Sequence, residues 1–495
     1  MNKPALLFSR LMFYNVYKVL PESLKRLTVA FFRNVHIFSY KHLSKQTSVS
    51  GTLGRQAFDS FNLQRMYGPR KRLCYAPYTS MFFSRAGYMS PCYATYHENS
   101  DKWPETSIHD AWFHGEMSRI REHMANNDLD YACTFCKPYF LSQNFGSLLI
   151  NKYEPYSFGK PAYPQIMEFE LSNRCSLECI MCDGNLSTAI RRNREKLDTL
   201  EEVYDQHFVS ELKPFIPYLK MAEFTGGDPF LIPVYYEIWD LIREINPKCQ
   251  ILITTNANTM TPRIENMLER FTNLHFNISI NSLDRAHYEQ IHVNANYDHA
   301  LENTLRFINY CRKHKNTCNL LVCPMTINSR DFDGLIEFAN AHHICVYFHT
   351  VVKPPHLSLK YQSPEYLNDL ISHLRKFNFR TRTKNEKTNS ENYRHLIKML
   401  ESWSVLEKME ETKQQGEGSV DKLYKRILLQ NDPEIIKKTE LLINYFDTLG
   451  QTEEMIKALD HLDAGFLYEI VRQRSFDDLI IFVKQELEKK HTPEK

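Results

Sequence analysis

No uncharged apolar run in this 495-residue chain approaches the roughly 20 residues that a membrane-spanning helix needs, so no spanning segment is expected. The first residues lack a small-residue cleavage site after a compact apolar core, and no secretory signal is read there. Overall charge bias is also missing: 61 Lys and Arg stand against 59 Asp and Glu, a formal net charge of +2. That balance gives no general pull toward nucleic acid, and no nucleic-acid partner is expected. With no sign of export, cytoplasmic residence is the default, and reducing compartments seldom keep disulfides. The twelve cysteines therefore need a reason other than a disulfide framework.

What is present is an ordinary apolar fraction of 43%, enough for a large core spread over two or three domains. One local charge bias stands out. Residues 1–58 hold nine Lys or Arg (Lys3, Arg10, Lys18, Lys25, Arg26, Arg33, Lys41, Lys45, Arg55) against Glu22 alone. Apolar residues such as Leu6, Leu7, Phe8, Leu11, Met12 and Phe13 interleave with these charges, a pattern that suits an amphipathic arm on anionic lipid or an acidic partner. A membrane-peripheral location is one expectation; a basic helix packed on the rest of the protein is the plainer one.

Residues 59–150 read as short strands and loops around Cys74, Cys92, Cys133 and Cys136. From 160 to 378 the pattern alternates strand and helix. Strands are expected near Gln165–Ser172, Met221–Thr225, Gln250–Thr255, His275–Ile280, Leu320–Thr326 and Cys345–Val351. Helices are expected near Thr188–Glu211, Val234–Ile245, Pro262–Arg270, Asp298–His314, Phe332–Ala341 and Pro364–Phe377. Such alternation argues for a parallel sheet with right-handed crossovers, and six units for an incomplete α/β barrel open on one side. In α/β barrels chemistry sits at the C-terminal ends of the strands. Polar stretches at Arg380–Lys387 and Glu410–Ser419 mark 379–419 as a linker, and 420–495 shows helical periodicity, read as a small helical appendage.

After the first of these strands comes Cys175-Ser-Leu-Glu-Cys179-Ile-Met-Cys182. Soft thiolates so placed can hold three corners of a cubane iron–sulfur cluster. A zinc site using the triad and a fourth ligand is the alternative. The Cys-x-x-x-Cys-x-x-Cys run after a first strand resembles the defining motif of the radical S-adenosylmethionine (SAM) superfamily. The resemblance covers roughly 164–375 and implies a partial (βα)6 barrel, with SAM chelating the open iron of a [4Fe-4S] cluster on Cys175, Cys179 and Cys182.

Further segments carry the same resemblance. Gly226-Gly227-Asp228-Pro229 is similar to the family's Gly-Gly-Glu-Pro turn, whose backbone contacts the amino group of SAM. Thr254-Thr255-Asn256-Ala257 looks like a Thr-Asn-Gly segment with Ala257 in the glycine place. Ser279-Ile280-Asn281 is similar to Ser-x-Asp; alternate strand residues share a face, so Ser279 and Asn281 are expected at the ribose or carboxylate of SAM. Cys323-Pro324-Met325-Thr326-Ile327-Asn328 resembles the segment beside the adenine, with Met325 as its marker. Cofactor contacts are thus expected at Gly226, Gly227, Asp228, Pro229, Thr255, Asn256, Ser279, Asn281 and Met325.

Upstream, Gly87 and Cys92 are followed by Ser107-Ile108-His109-Asp110-Ala111-Trp112 and the pair Cys133-Thr-Phe-Cys136. With Cys74 this wording resembles the SPASM or twitch auxiliary-cluster module, which usually follows the barrel and here precedes it. The resemblance implies a second, auxiliary [4Fe-4S] cluster on Cys74, Cys92, Cys133 and Cys136, serving electron transfer. A four-thiolate zinc knot is equally allowed by spacing alone.

The expected activity is reductive cleavage of SAM to a 5′-deoxyadenosyl radical and hydrogen abstraction from a substrate, a peptide or protein to be modified. An electron donor such as flavodoxin or ferredoxin would supply the reducing equivalent. A small-molecule substrate (sugar, lipid or cofactor precursor) and a non-catalytic iron–sulfur or zinc scaffold are the alternatives.

Overall fold

The computed structural model describes residues 55–414 other than 66, 96–99, 142–144, 157–161, 352–353 and 355. Of the remainder it describes 438–439, 442–443, 445–446, 449, 451–459, 467, 470–472, 474 and 476–491. The fold is α/β, with a mostly parallel eight-stranded sheet. Its strands are β1 (Ser80–Phe83), β2 (Met89–Ser90), β3 (Ile166–Phe169), β4 (Met221–Phe224), β5 (Gln250–Thr255), β6 (Leu274–Ser279), β7 (Cys318–Val322) and β8 (Cys345–Phe348). They lie in the order β2-β1-β3-β4-β5-β6-β7-β8. The six expected strands are all present. Among the described residues no helix is long and apolar enough to cross a membrane. Most of the basic arm, 1–54, lies outside the described residues.

The chain packs as two compact units. Among the described residues, the first takes in those up to Ser176 with Gly184–Thr255 and Thr261–His275; the second takes in Leu177–Asp183, Asn256–Met260 and those from Phe276 onward.

In the first unit the count of six strands has to be enlarged. β1, from the cysteine-rich segment, runs parallel to β3 with Phe83 opposite Phe169, and β3 runs parallel to β4 with Phe169 opposite Phe224. The three rings form a cross-strand ladder, with centroids 5.2 and 4.8 Å apart and planes within 13° of parallel. Each such pair adds to the apolar burial that holds strands in register. The cysteine-rich segment is therefore stitched into the sheet instead of standing apart from it. β2 folds back antiparallel on β1. Gly87 supports that reversal at φ +90°, where a Cβ would also meet the Trp103 carbonyl at 2.6 Å. The expected helix over Thr188–Glu211 is two short ones, Thr188–Asn193 capped by Ser187 and Gln206–Glu211 capped by Asp205.

In the second unit β6 pairs with β7 and β7 with β8, all parallel. Here the linker expected over 379–419 is corrected: most of it is one helix, Lys384–Gln414. Tyr393, Leu396, Ile397 and Leu400 are buried at helical spacing. The helix also closes the sheet edge. Asn389 Oδ1 accepts the Val346 N–H at 2.9 Å, its Nδ2 donates to the Ile344 carbonyl at 2.9 Å, and Asn392 Nδ2 donates to the Val346 carbonyl at 2.7 Å. An edge strand presents unpaired backbone groups, and these two carboxamides satisfy those of β8 much as a neighbouring strand would. Side chains that read as a polar linker are the ones doing this. Near the C terminus, helices Thr452–Leu459 and Phe476–His491 bury Met455, Ile456, Leu459, Leu479, Phe482 and Val483 together.

Candidate functional site

All twelve cysteines lie outside disulfide bonds. Of the triad, Cys175 belongs to the first unit and Cys179 and Cys182 to the second.

In the first unit, the start of the triad loop is held by hydroxyl and amide bonds. Cys175 N–H donates to Thr188 Oγ1 at 3.3 Å, and the Cys175 carbonyl accepts from Thr188 Oγ1 at 2.9 Å and the Ala189 N–H at 3.3 Å. The Gly226-Gly227-Asp228-Pro229 turn lies against the residues just before it. Gly227 N–H donates to the Ser172 carbonyl at 3.0 Å and Asp228 N–H to the Arg174 carbonyl at 2.7 Å. Gly226 has φ +111°, and a Cβ there would meet the Ser172 carbonyl at 2.5 Å; one on Gly227 would collide with the Arg174 carbonyl. Both glycines are therefore required by backbone approach. Asp228 is almost fully buried. Its carboxylate accepts the Phe230 N–H at 3.0 Å and the Thr255 hydroxyl at 2.9 Å, so these two candidate contact residues bind each other at the ends of β4 and β5.

In the second unit, Cys179 is buried and Cys182 half-buried, with Cys182 N–H donating to the Cys179 carbonyl at 3.1 Å. The chain on either side of Cys179 is tied to one segment: Glu178 N–H donates to the Val293 carbonyl at 2.9 Å and Ile180 N–H to the Ile291 carbonyl at 3.0 Å. Between those anchors His292, buried, brings Nδ1 to 3.3 Å from Cys179 Sγ. Burial holds the His292 pKa down to about 4. On its other side His292 Nε2 lies 3.0 Å from Asn281 Nδ2, and Asn281 Oδ1 accepts the Cys323 N–H at 2.6 Å. Asn281, expected at SAM, thus has its carboxamide engaged with His292 and the start of the Cys323–Asn328 segment. His292 was missed from sequence; an isolated His after a short helix carries no signal there. Ser279 ends β6 and is half-buried. Asn256 Oδ1 accepts the Asn258 N–H at 2.9 Å, and Ala257, in the glycine place, takes a left-handed φ of 57°. Met325 is fully buried with Ile291, Val351 and Leu357, its N–H donating to Asn328 Oδ1 at 2.8 Å. Burial, with the nearby Cys182 adding to it, pushes the Cys323 thiol up to about 12, which keeps it protonated.

The second cysteine group lies wholly in the first unit. Cys74, Cys92, Cys133 and Cys136 are all buried and line one cavity together with Ala76, Pro91, Leu149, Ile150 and Tyr153. Burial pushes Cys92 up to about 12 and raises Cys74 and Cys133 well above the usual thiol range, where the neighbouring cysteines add to the effect. N–H groups aim at the sulfurs: Ala76 N–H reaches Cys74 Sγ at 3.4 Å, and backbone donors from Leu149 and Ile150 oppose the rise at Cys136. Four crowded, buried thiols become thiolates only beside a positive charge, which a bound metal supplies. The donor set therefore fits a metal group. Among the described residues, the group of His, Cys, Asp or Glu ligand atoms lying within 4.8 Å of one another is His109, Asp110 and His114, so no three of these four sulfurs are that close. A tetrahedral zinc site with Zn–S of about 2.3 Å sets its sulfurs about 3.8 Å apart.

Beside this cavity, Lys152 Nζ lies 2.7 Å from Glu168 Oε2 and 2.6 Å from Glu223 Oε2, and Tyr153 Oη donates to Glu168 Oε1 at 2.8 Å. Sequence reading passed over all four residues.

Residues 169–339 match the family model described as the Radical SAM superfamily. No curated protein matches the chain. Among solved structures, Streptococcus suis SuiB bound to S-adenosylmethionine is 16% identical, covering 52% of this chain and 57% of that one with a TM-score of 0.34. Native anSMEcpe with bound AdoMet is 13% identical, covering 43% and 60% with a TM-score of 0.33. SuiB bound to the precursor peptide SuiA is 15% identical, covering 54% and 61% with a TM-score of 0.32. The chain thus spans about three fifths of the length of these structures.

Proposed function

We propose, from the match of residues 169–339 to the Radical SAM superfamily model, that this chain is an enzyme that cleaves SAM reductively to a 5′-deoxyadenosyl radical, which abstracts hydrogen from a substrate. The observation that carries this reading is the Cys175, Cys179, Cys182 triad inside the matched segment. These three thiolates would hold a [4Fe-4S] cluster in a partial (βα)6 barrel, and the bound cluster supplies the electron for SAM cleavage. The residues around it have their own tasks. The Gly226–Pro229 turn, with its Cβ-free approach, presents backbone groups to the amino acid end of SAM. Thr255 and Asp228 hold that turn against β5, and Asn256, Ser279 and Met325 stand at the remaining cofactor positions.

The auxiliary group on Cys74, Cys92, Cys133 and Cys136 reads as a SPASM- or twitch-like [4Fe-4S] site. A four-thiolate zinc knot uses the same ligands, and the resemblance of the segment to such modules is what favours a cubane. Four protein ligands saturate such a cluster, which leaves electron transfer as its role. A peptide or protein is the substrate class this resemblance carries, with flavodoxin or ferredoxin as reductant and a cytoplasmic, membrane-peripheral location through the basic arm at 1–58. Equal sedimentation with anionic vesicles by the intact chain and one lacking the arm would remove the membrane contact.

The activity is tested by mass spectrometry of 5′-deoxyadenosine formed anaerobically under reduction. The wild-type protein is expected to form it, and a Cys175→Ala, Cys179→Ala, Cys182→Ala variant to form none. Undiminished product from the triple variant would sink the assignment.

A further inference from the structure

Three bonds in the second unit determine which nitrogen of His292 carries hydrogen. Cys323 N–H is a backbone donor, so the Asn281 atom 2.6 Å from it is the carbonyl oxygen. The other end of the same carboxamide is then the NH2 group, and it lies 3.0 Å from His292 Nε2. An NH2 group meets a ring nitrogen only at a lone pair, so Nε2 is the acceptor and the hydrogen of the neutral ring sits on Nδ1. Nδ1 is the atom 3.3 Å from Cys179 Sγ. Asn281 is itself fixed by Asn328, whose Nδ2 donates to the Asn281 carbonyl at 2.6 Å and the Cys323 carbonyl at 3.1 Å. The bonds Glu178 to Val293 and Ile180 to Ile291 hold Cys179 and His292 facing each other.

We propose that His292 is a positioning residue whose Nδ1–H donates to the Cys179 thiolate, that Asn281 enforces this tautomer, and that the bond raises the reduction potential of the cluster on the triad. The proposal rests on the reading of Cys179 as a cluster ligand. Hydrogen bonds to ligating sulfur withdraw charge from it and stabilise the reduced cluster, which carries one more electron. Asp in place of Asn281 would have two acceptor oxygens, could not donate to Nε2, and would move the hydrogen away from Cys179. The neutral amide at position 281 and the histidine at 292 therefore form one device.

The test uses the full chain reconstituted anaerobically, with the potential read by electron paramagnetic resonance during redox titration. The triad signal is taken as the component absent from the Cys175→Ala, Cys179→Ala, Cys182→Ala variant. His292→Phe removes the donor, and His292→Asn places an amide N–H near the Nδ1 position. At a fixed applied potential, the reduced-to-oxidised ratio is expected to fall about tenfold in His292→Phe, equal to about 59 mV for a one-electron couple, and to return to within about threefold of wild type in His292→Asn. In wild-type protein labelled with 15N-histidine, pulsed resonance is expected to show one imidazole nitrogen and one exchangeable hydrogen coupled to the reduced cluster, a readout that needs no variant. An unchanged ratio in His292→Phe at equal iron loading, or no coupled nitrogen in wild type, overturns the proposal while leaving SAM cleavage intact. A wild-type protein that assembles no triad cluster overturns the underlying reading as well.

Discussion

Glu168 of β3 lies directly across the parallel ladder from Glu223 of β4, and the two carboxylates share one ammonium. Like charges opposite each other on adjacent strands are destabilising, so Lys152 is what permits both. Burial lowers the Lys152 pKa, but the attraction of Glu168 and Glu223 more than offsets this and the net shift is upward.

Lys152→Met is accordingly expected to cost about 3 kcal/mol in urea unfolding at pH 7, because it leaves the buried Glu168 and the partly buried Glu223 facing each other without their cation. Adding Glu223→Gln should recover part of that loss. The raised folded-state pKa means the contribution is fully present below the unfolded lysine pKa of about 10.4 and declines as pH climbs above it toward the folded value. The stability gap between wild type and Lys152→Met should therefore stay flat from pH 7 to about 10 and narrow only beyond. A gap that narrows below pH 9 would contradict the pairing.

The cysteine quartet predicts what remains when the triad is gone. In the Cys175→Ala, Cys179→Ala, Cys182→Ala variant, iron should fall from about eight to about four per chain, four for each cubane, and a reducible resonance signal should persist. Stoichiometric zinc with no such signal would show that Cys74, Cys92, Cys133 and Cys136 form a structural knot instead.

At the sheet edge, Asn389→Ala leaves the Val346 N–H and the Ile344 carbonyl without their partner, and it also removes a 2.8 Å bond to Asn340 Oδ1. The expected loss is about 3 kcal/mol by denaturant titration, against about 1 kcal/mol for Asn392→Ala, which unpairs a single carbonyl. Equal, negligible losses would mean that water covers the edge of β8 as well as these side chains do.

Much of this molecule is legible in order along the chain. Six strands and most of the intervening helices follow from periodicity, because burial on one or both faces imposes a repeat that neighbouring residues already display. The glycines at 226 and 227 are readable as points of close approach, but that the partners of the approach are the Ser172 and Arg174 carbonyls came only from the structure. Local patterns failed where polar side chains are buried: the run around Asn389 reads as linker, and the aromatic run at Ser80–Phe83 is too short to declare itself a strand of the main sheet.

The sequence by itself determined the α/β alternation, the triad spacing and the membership of the cysteine quartet, because each is written in short-range composition or in the rarity of cysteine. Only the tertiary structure decided that Lys152 neutralises Glu168 and Glu223, that Asn389 completes β8, and that Asn281 orients His292 toward Cys179. Each of these joins residues from different elements through a donor and acceptor within about 3.3 Å. Such bonds depend on where the packed backbone places its atoms, and a hydrogen bond contributes only where that placement brings donor and acceptor into line.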